Sequence, residues 1–437
     1  MENFSKDSYV GDPERECLPR ARLRQLQEER LAELLHRVAH RVPFYKARLW
    51  TAGFEPEKFR GLADLPAIPF TTKEDLREHY PYGLLALPRD QVARVHASSG
   101  TTGRPTLTAY SRKDLELWSE LMARVLAAAG VRAGTVVQIA YGYGMFTGGS
   151  GFQYGAERLG ATVIPASSGH AEKQLLWMRE LGTEVLLCTP SFAATLLQEI
   201  AGDLGHRPLS LKAGIFGGEF WSEALRARLE QGLGVRAFDT YGLSEVIGPG
   251  VAQECPEGGG MHVFEDHFLP EIVDPVSGEP LPPGSYGELV LTSLTKEAMP
   301  VLRYRTRDRT RLIEEPCACG RSSRRIERIW GRADDQLRIG DGQVFLSQIE
   351  QVLLETEGVQ PNYQVVATSD LAAQESPWVL KAQLVEEVLR SRARTEAVEA
   401  KVTEELQQRF GLKMRVTGVR ASHLPCSEGK AKRLIYE

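Results

Sequence analysis

Apolar and polar positions along this chain change period several times. Over residues 20–48, Leu23, Leu26, Leu31, Leu34, Leu35 and Val38 recur at helical spacing among charges. That spacing predicts an amphipathic helix ending near Val42-Pro43. Residues 54–90, with prolines at 56, 66, 69, 81 and 88, read as irregular. From 113 onward helices (113–129, 170–181, 191–201, 222–232) alternate with short apolar strands (135–140, 161–165, 184–188, 213–216, 235–241). Such alternation predicts a parallel sheet covered by helices on both faces, with ligands at the strand C-termini. Each glycine-rich or polar motif here, including Tyr141–Gly151, falls just after a strand, where a binding loop belongs. Beyond 260 the pattern turns β-rich, at His262–Phe264, Glu271–Val273 and Glu288–Thr292. A linker with Gly331, Asp334 and Asp335 precedes a last segment of about 100 residues with its own helices, 346–357 and 394–409. The expected class is α/β. A large N-terminal domain, 1–333, holds mostly parallel sheets covered by helices and a β-rich subdomain at about 255–333. A small α+β C-terminal domain, 334–437, follows.

Bulk properties narrow the function classes. A chain of 437 residues is too long for one core, which agrees with two domains. A net charge of −5 gives no electrostatic case for nucleic acid or an anionic membrane. No apolar run approaches the ~20 residues of a membrane span. The opening Met-Glu-Asn-Phe-Ser-Lys-Asp lacks a secretory pattern, so cytoplasm is the expected location.

Residues 96–106 read His-Ala-Ser-Ser-Gly-Thr-Thr-Gly-Arg-Pro-Thr. Gly100 and Gly103 let backbone N–H groups approach an anion. Ser98, Ser99, Thr101 and Thr102 add hydroxyl donors, and Arg104 adds a permanent positive charge. The stretch reads as a polyphosphate loop, although its spacing is not that of a Walker A loop. A plain surface loop is the alternative for these residues alone. Tyr241-Gly-Leu-Ser-Glu245 offers a ring for a purine and a hard oxygen for Mg²⁺. Tyr304-Arg-Thr-Arg-Asp308 offers a carboxylate for ribose hydroxyls. Ser427-Glu-Gly-Lys430 presents a lysine on a glycine turn, or else a solvated basic tail. Cys255, His262, Cys317 and Cys319 form a Cys₃His set of the kind that closes a structural Zn²⁺ site, with His267 as a substitute ligand.

In that order and at these long separations, the motifs resemble the acyl-adenylate-forming superfamily, and within it the phenylacetate–coenzyme A ligase family. Val42-Pro-Phe-Tyr45, Phe70-Thr-Thr-Lys73, Tyr141-Gly-Tyr-Gly144, Phe146-Thr-Gly-Gly149, Glu265-Asp-His-Phe268 and Thr292-Ser-Leu-Thr-Lys296 carry the resemblance further, over about 20–437. It implies ATP-dependent activation of a phenylacetate-like aromatic acid to an acyl-adenylate with release of pyrophosphate, then a thioester with coenzyme A. Residue by residue, it implies that loop 98–105 holds the β- and γ-phosphates. Gly217, Gly218, Glu219, Asp239 and Thr240 would line the nucleotide, with Tyr241 against the base. Ser244 would meet the α-phosphate, and Glu245 would hold Mg²⁺. Asp308 would bind the ribose, with Arg332 near ribose and phosphate. Asp334 would be the hinge of a mobile C-terminal domain, and Lys430 would reach the carboxylate and α-phosphate. Tyr141, Tyr143, Phe146 and Gly217, helped by Phe216, would wall the acid pocket. The family's pairing habit adds a homodimer as an open expectation.

The sequence departs from the family at Gly340-Asp-Gly-Gln-Val-Phe-Leu346, where Arg-Gly-Val-Asn-Val-Phe-Pro is usual. This loop would line the thiol channel, so transfer of a substituted benzoate-type acyl group to a carrier-protein thiol is the alternative to coenzyme A. Arg104 replaces a usual Lys, keeping charge and changing geometry. A non-catalytic nucleotide- or acyl-binding protein would lack Lys430, Glu245 or Asp308; all three are present.

Overall fold

The structure, a computed structural model, describes residues 9–98, 105–202, 208–333, 336–339, 342–367, 378–424 and 432–436. The expected α/β class is the one observed. Among the described residues the main sheet has nine strands. In spatial order they are Leu312–Ile313, Arg325–Ile326, Met261–Val263, Gly248–Glu254, Arg236–Leu243, Ala213–Gly217, Val185–Cys188, Val136–Ile139 and Thr162–Ile164. The last five pair in parallel and the rest pair antiparallel, so the sheet is mixed. Ala213–Gly217 and Val185–Cys188 are buried along their whole length, as strands with both faces covered are.

Helices cover the sheet near the predicted ranges: Arg112–Ala128, Ala171–Glu180, Pro190–Gly202 and Glu223–Leu233. The first long helix, Arg20–Arg41, stops at Val42, which is extended because the ring of Pro43 disfavours helix in the residue before it. Pro43 then opens a second helix, Pro43–Thr51. On the first helix Gln27, not Leu26, is buried, and its amide donates to the Glu265 carbonyl at 2.9 Å.

Three elements depart from the pattern reading. The stretch expected to be irregular contains helix Lys73–Glu78, begun by a capping box between Thr72 and Asp75. Two short strands outside the expected ranges, Arg94–Ala97 and Leu107–Tyr110, pair antiparallel on either side of the hydroxyl-rich stretch. Part of the glycine-rich segment after Ile139 is a helix, Gly148–Arg158. Its glycines are a packing face rather than a loop signal. A Cβ on Gly151 would stand 2.6 Å from the Trp118 ring, and one on Gly155 would stand 2.6 Å from the Met122 backbone. Bare glycine lets this helix approach Arg112–Ala128 at backbone distance.

The β-rich region forms a three-stranded antiparallel sheet of Phe268–Val273, Gly287–Ser293 and Tyr304–Thr310. Beyond residue 336 a four-stranded sheet runs in the order Arg415–Val419, Trp378–Leu384, Val359–Ala367, Leu434–Tyr436. Helices Leu346–Glu355 and Arg392–Phe410 pack on it around an apolar cluster of its own that includes Ile349, Val365, Leu380 and Leu406. Among the described residues no helix is long and apolar enough to cross a membrane.

Gly155→Ala tests the helix contact. Alanine gains about 1 kcal/mol of helix propensity, but its methyl meets main-chain atoms that have nowhere to go. A net loss of about 1–2 kcal/mol is expected, read as a lower thermal unfolding midpoint. An unchanged or raised midpoint would refute the close approach.

Candidate active site

The site is built at the C-terminal end of Arg236–Leu243, where the sheet changes from parallel to antiparallel. Tyr241 is buried, and its hydroxyl donates to Asp308 Oδ2. Burial, and then the Asp308 charge, push that phenol far above its ordinary range, so it stays protonated and donating. Asp308 lies on Tyr304–Thr310, takes its own N–H to Thr306 Oγ1 at 3.0 Å, and bridges by backbone to Arg332.

The turn after the strand carries Ser244 and Glu245. Ser244 Oγ lies 3.2 Å from Thr147 Oγ1 at the start of the glycine-faced helix. Glu245 Oε1 accepts from Thr106 Oγ1 at 3.0 Å. A hydroxyl has one hydrogen, so Thr106 must accept from Ser98 Oγ at 2.7 Å. Ser98 N also donates to the Thr106 carbonyl, at 2.9 Å. The base of the hairpin turn is thereby tied to Glu245. Lys73 Nζ stands 3.6 Å from the same Glu245 oxygen. Ser99, Gly100, Thr101, Thr102, Gly103 and Arg104 lie outside the described residues, as do Asp334, Gly340, Asp341 and Lys430.

Next to this polar patch is an apolar one. Tyr141 stacks on Phe152 with centroids 5.1 Å apart, and its hydroxyl donates to the Gly217 carbonyl at 3.2 Å. Gly217 must be glycine, because a Cβ there would stand 2.5 Å from the Thr240 carbonyl oxygen. Gly218 follows at φ +80°, a left-handed conformation that glycine adopts without strain. Glu219 accepts from the Ser191 N–H at 3.3 Å. Asp239 points into an internal charge cluster. Burial raises its carboxyl, Arg328 and Arg226 oppose that, and its N–H donates to Glu254 at 2.9 Å. Of the other expected pocket aromatics, Phe146 is 39% exposed. Tyr143 lies with its ring over Gly149 and has its hydroxyl raised to about 12 by burial. Phe216 is fully buried and edge-on to Trp221, so it is core. Tyr141, Gly217 and Thr240 are brought together; Tyr143 and Phe146 sit at the margin.

Three residues around the patch had no role in the sequence reading. His96 is buried edge-on to Tyr110 and Trp118, and its Nδ1–H donates to the Met145 carbonyl at 3.2 Å. Burial lowers its pKa, so it stays neutral. Lys73 and Lys296 end two of the family-like motifs. Lys296 is 1% exposed, donates to Thr108 Oγ1 on the hairpin, and lies 4.7 Å from the centroid of Tyr110. The carboxylates of Asp114 and Glu245 act on it, but burial dominates and brings it down to about 8. Their sequence signal was that each closes a hydroxyl-bearing motif and is followed by an acidic residue.

The Cys₃His set also converges. The ligand atoms of Cys255, His262, Cys317 and Cys319 all lie within 4.8 Å of one another. Cys255 Sγ is 3.6 Å from Cys317 Sγ, and Cys319 Sγ is 3.3 Å from His262 Nε2. The sulfur separation is too long for a disulfide. It fits a tetrahedral Zn²⁺, whose ~2.3 Å bonds set sulfurs roughly 3.8 Å apart. His262 Nδ1 faces the Ser323 carbonyl at 3.3 Å, which frees Nε2 as a ligand. His267 is not part of the cluster; its ring contacts Thr295 and Asp266.

Comparison with known proteins agrees with this geometry. The family model of AMP-binding enzymes matches residues 25–295, and that of the AMP-binding enzyme C-terminal domain matches 342–437. The fold is therefore that of an adenylate-forming enzyme. A phenylacetate-coenzyme A ligase from Thermus thermophilus is 48% identical over 97% of this chain and 98% of its own. The chain belongs to the phenylacetate–coenzyme A ligase family. Among solved structures, a 2-hydroxyisobutyryl-CoA ligase in the postadenylation state, in complex with R3-HIB-AMP, superposes at TM-score 0.91, with 26% identity, covering 100% of this chain and 95% of that one. The same ligase with 2-HIB-AMP and CoA in the thioesterification state gives 0.73 at 27% identity and equal coverage.

Lys296 gives a signed prediction. Its folded pKa lies below the unfolded value, so between about pH 8 and 10.5 the unfolded chain binds more protons and stability rises with pH. Below pH 8 the cost of burying the charge is complete. Lys296→Met is expected to be more stable than the parent at pH 7 by about 2 kcal/mol, with the gap closing from pH 8 to 10.5. Urea unfolding across that range checks it, and a pH-independent gap would refute it.

Proposed function

We propose that this chain is an AMP-forming aryl acid–coenzyme A ligase acting on phenylacetate or a close relative. A carboxylate oxygen attacks the α-phosphorus of ATP, the bond to pyrophosphate breaks, and acyl-AMP forms. The thiolate of coenzyme A then attacks the acyl carbon, the bond to AMP breaks, and the thioester leaves. The observation that carries this reading is the connected patch Ser98–Thr106–Glu245 beside Tyr241–Asp308, adjoining Tyr141 and Gly217.

The assigned roles follow the motifs. Loop 98–104 takes the β- and γ-phosphates. Gly217, Gly218, Glu219, Asp239 and Thr240 border the nucleotide, and Tyr241 lies against the base. Ser244 meets the α-phosphate, Asp308 takes the ribose, and Arg332 lies near ribose and phosphate. Glu245 would hold Mg²⁺, which supplies positive charge to the phosphates; a single carboxylate among hydroxyls suits an ion that keeps water and phosphate ligands. Tyr141 and Gly217 form the floor of the acid pocket, with Tyr143 and Phe146 at its mouth. Lys430 neutralises charge as two anions approach. The working division is 1–333 and 334–437 about Asp334. The higher TM-score with the postadenylation structure, at nearly equal identity, supports an arrangement of the two parts like the one that ligase adopts around its acyl-adenylate.

Cys255, His262, Cys317 and Cys319 would hold a structural Zn²⁺. Four protein ligands leave no open position, so the ion would tie together sheet strands and take no part in the chemistry. Cys319→Ser is expected to abolish about one zinc per chain, measured by mass spectrometry of the metal, and to lower the thermal midpoint. Metal-free parent protein of unchanged stability would remove this part of the reading.

Pyrophosphate release over a panel of aryl acids tests the function, with phenylacetate expected among the best. Lys430→Ala should lower adenylation by about 10²–10³-fold. Absence of pyrophosphate release with every aryl acid would overturn the assignment.

A further inference from the structure

Arg433 stands three residues after Lys430, at the entry to Leu434–Tyr436. Its guanidinium is held on several sides. It lies 4.3 Å over the Tyr363 ring, and Nη1 donates to Asn362 Oδ1 and to the Tyr363 carbonyl, both at 3.2 Å. Nη2 lies 3.8 Å from Glu350 Oε1. The main chain here is also fixed: Val365 N–H donates to the Arg433 carbonyl at 2.8 Å, and the Gln364 amide donates to the Lys432 carbonyl at 3.3 Å.

Glu350 continues the connection across to the large part of the molecule. It is 3% exposed, and its second oxygen accepts the Ser222 N–H at 2.9 Å. Ser222 is the N-cap of Glu223–Leu233, so Glu350 faces the positive end of that helix. One carboxylate thus has one oxygen on each part. Burial raises its pKa; Arg433 and the Ser222 N–H oppose that, and Glu219, bordering the proposed nucleotide site, adds like charge. Around it, Arg228 donates to the carbonyls of Leu354 at 2.7 Å and Val359 at 2.8 Å, and Ala224 N–H donates to Gln351 at 3.2 Å.

Every one of these cross-contacts depends on how the two parts are set against each other. The arrangement that makes them scores 0.91 against the postadenylation structure and 0.73 against the thioesterification structure. We propose that Arg433 and Glu350 are a positioning pair that sets the strand Leu434–Tyr436, which follows Lys430 in the chain, against the large part for adenylation and has no part in thioester formation. This rests on the role given to Lys430 above.

Full-length Arg433→Met, Arg433→Lys and Glu350→Gln are compared in two half-reactions. Adenylation is read as hydroxylamine-trapped acyl-AMP from phenylacetate and ATP. Thioester formation is read from supplied phenylacetyl-adenylate and coenzyme A. Arg433→Met is expected to lower the adenylation kcat by about 10–100-fold, the scale of a misplaced reacting group, and to leave the second half-reaction within about twofold. Arg433→Lys should recover part of the loss, because charge returns without the planar contacts. Glu350→Gln keeps the acceptor for Ser222 and loses the charge toward Arg433, so its loss should be smaller and confined to the same half-reaction. Equal loss in both half-reactions would mean a merely structural role and overturn the pair, as would no loss in either. A parent enzyme that forms no adenylate would instead overturn the functional reading, and the pair with it.

Discussion

The backbone pairing of Arg236–Leu243 is the constraint on which the site depends. Parallel bonds to Ala213–Gly217 on one side and antiparallel bonds to Gly248–Glu254 on the other leave this strand no freedom of register. Its end therefore delivers Tyr241, Ser244 and Glu245 to fixed positions. The close approach of Gly217 to Thr240 holds only because no side chain intervenes. From this edge, side-chain hydrogen bonds reach the hairpin through Thr106, the glycine-faced helix through Thr147, and the smaller sheet through Asp308. These segments are far apart in sequence, and one strand terminus gives them a common origin.

Much of this was legible in the sequence, for a physical reason. Strands buried on both faces must be apolar throughout, so runs such as Val185–Cys188 and Ala213–Gly217 stand out from their surroundings. Thiols and imidazole gather only under chemical pressure, so the Cys₃His set was visible before its geometry was known. The failures have causes of the same kind. The helix Gly148–Arg158 hides because its contact face is made of absence: Gly151 and Gly155 read as flexibility when the neighbouring helix needs them as space. The strand Arg94–Ala97 is half-buried and four residues long, too short for a period to emerge. Gln27 replaced Leu26 inside because a carbonyl waited there, which helical spacing cannot report. Lys73 and Lys296 were read as motif letters, since the approach of Lys73 to Glu245 and the burial of Lys296 are properties of the fold and not of their neighbours in sequence.

The region from Glu265 to Arg328 is rich in ion pairs whose partners are both shielded. Arg124 meets Asp266 at 3.0 Å, Arg303 meets Glu271 at 2.8 Å, and Arg321 meets Glu16 at 2.5 Å. Removing one member of such a pair typically costs 3–5 kcal/mol, far more than the pair contributes relative to apolar substitutes. Their placement matters more than their number. Arg321 lies two residues beyond Cys319, and Glu16 lies in the N-terminal segment, so this bond fastens the N-terminal segment beside the thiol cluster at the antiparallel end of the sheet.

The seam crossed by Glu350, Gln351 and Arg228 consists largely of amides, carbonyls and charges, with Leu354 as an apolar contributor to the large part's core. Polar partners of this kind can each be replaced by water when a surface separates. Such a joint can be wetted and dried repeatedly without exposing a greasy face to other molecules. An enzyme of the proposed two-step kind, whose two parts would have to separate between steps, would thereby avoid becoming sticky each time.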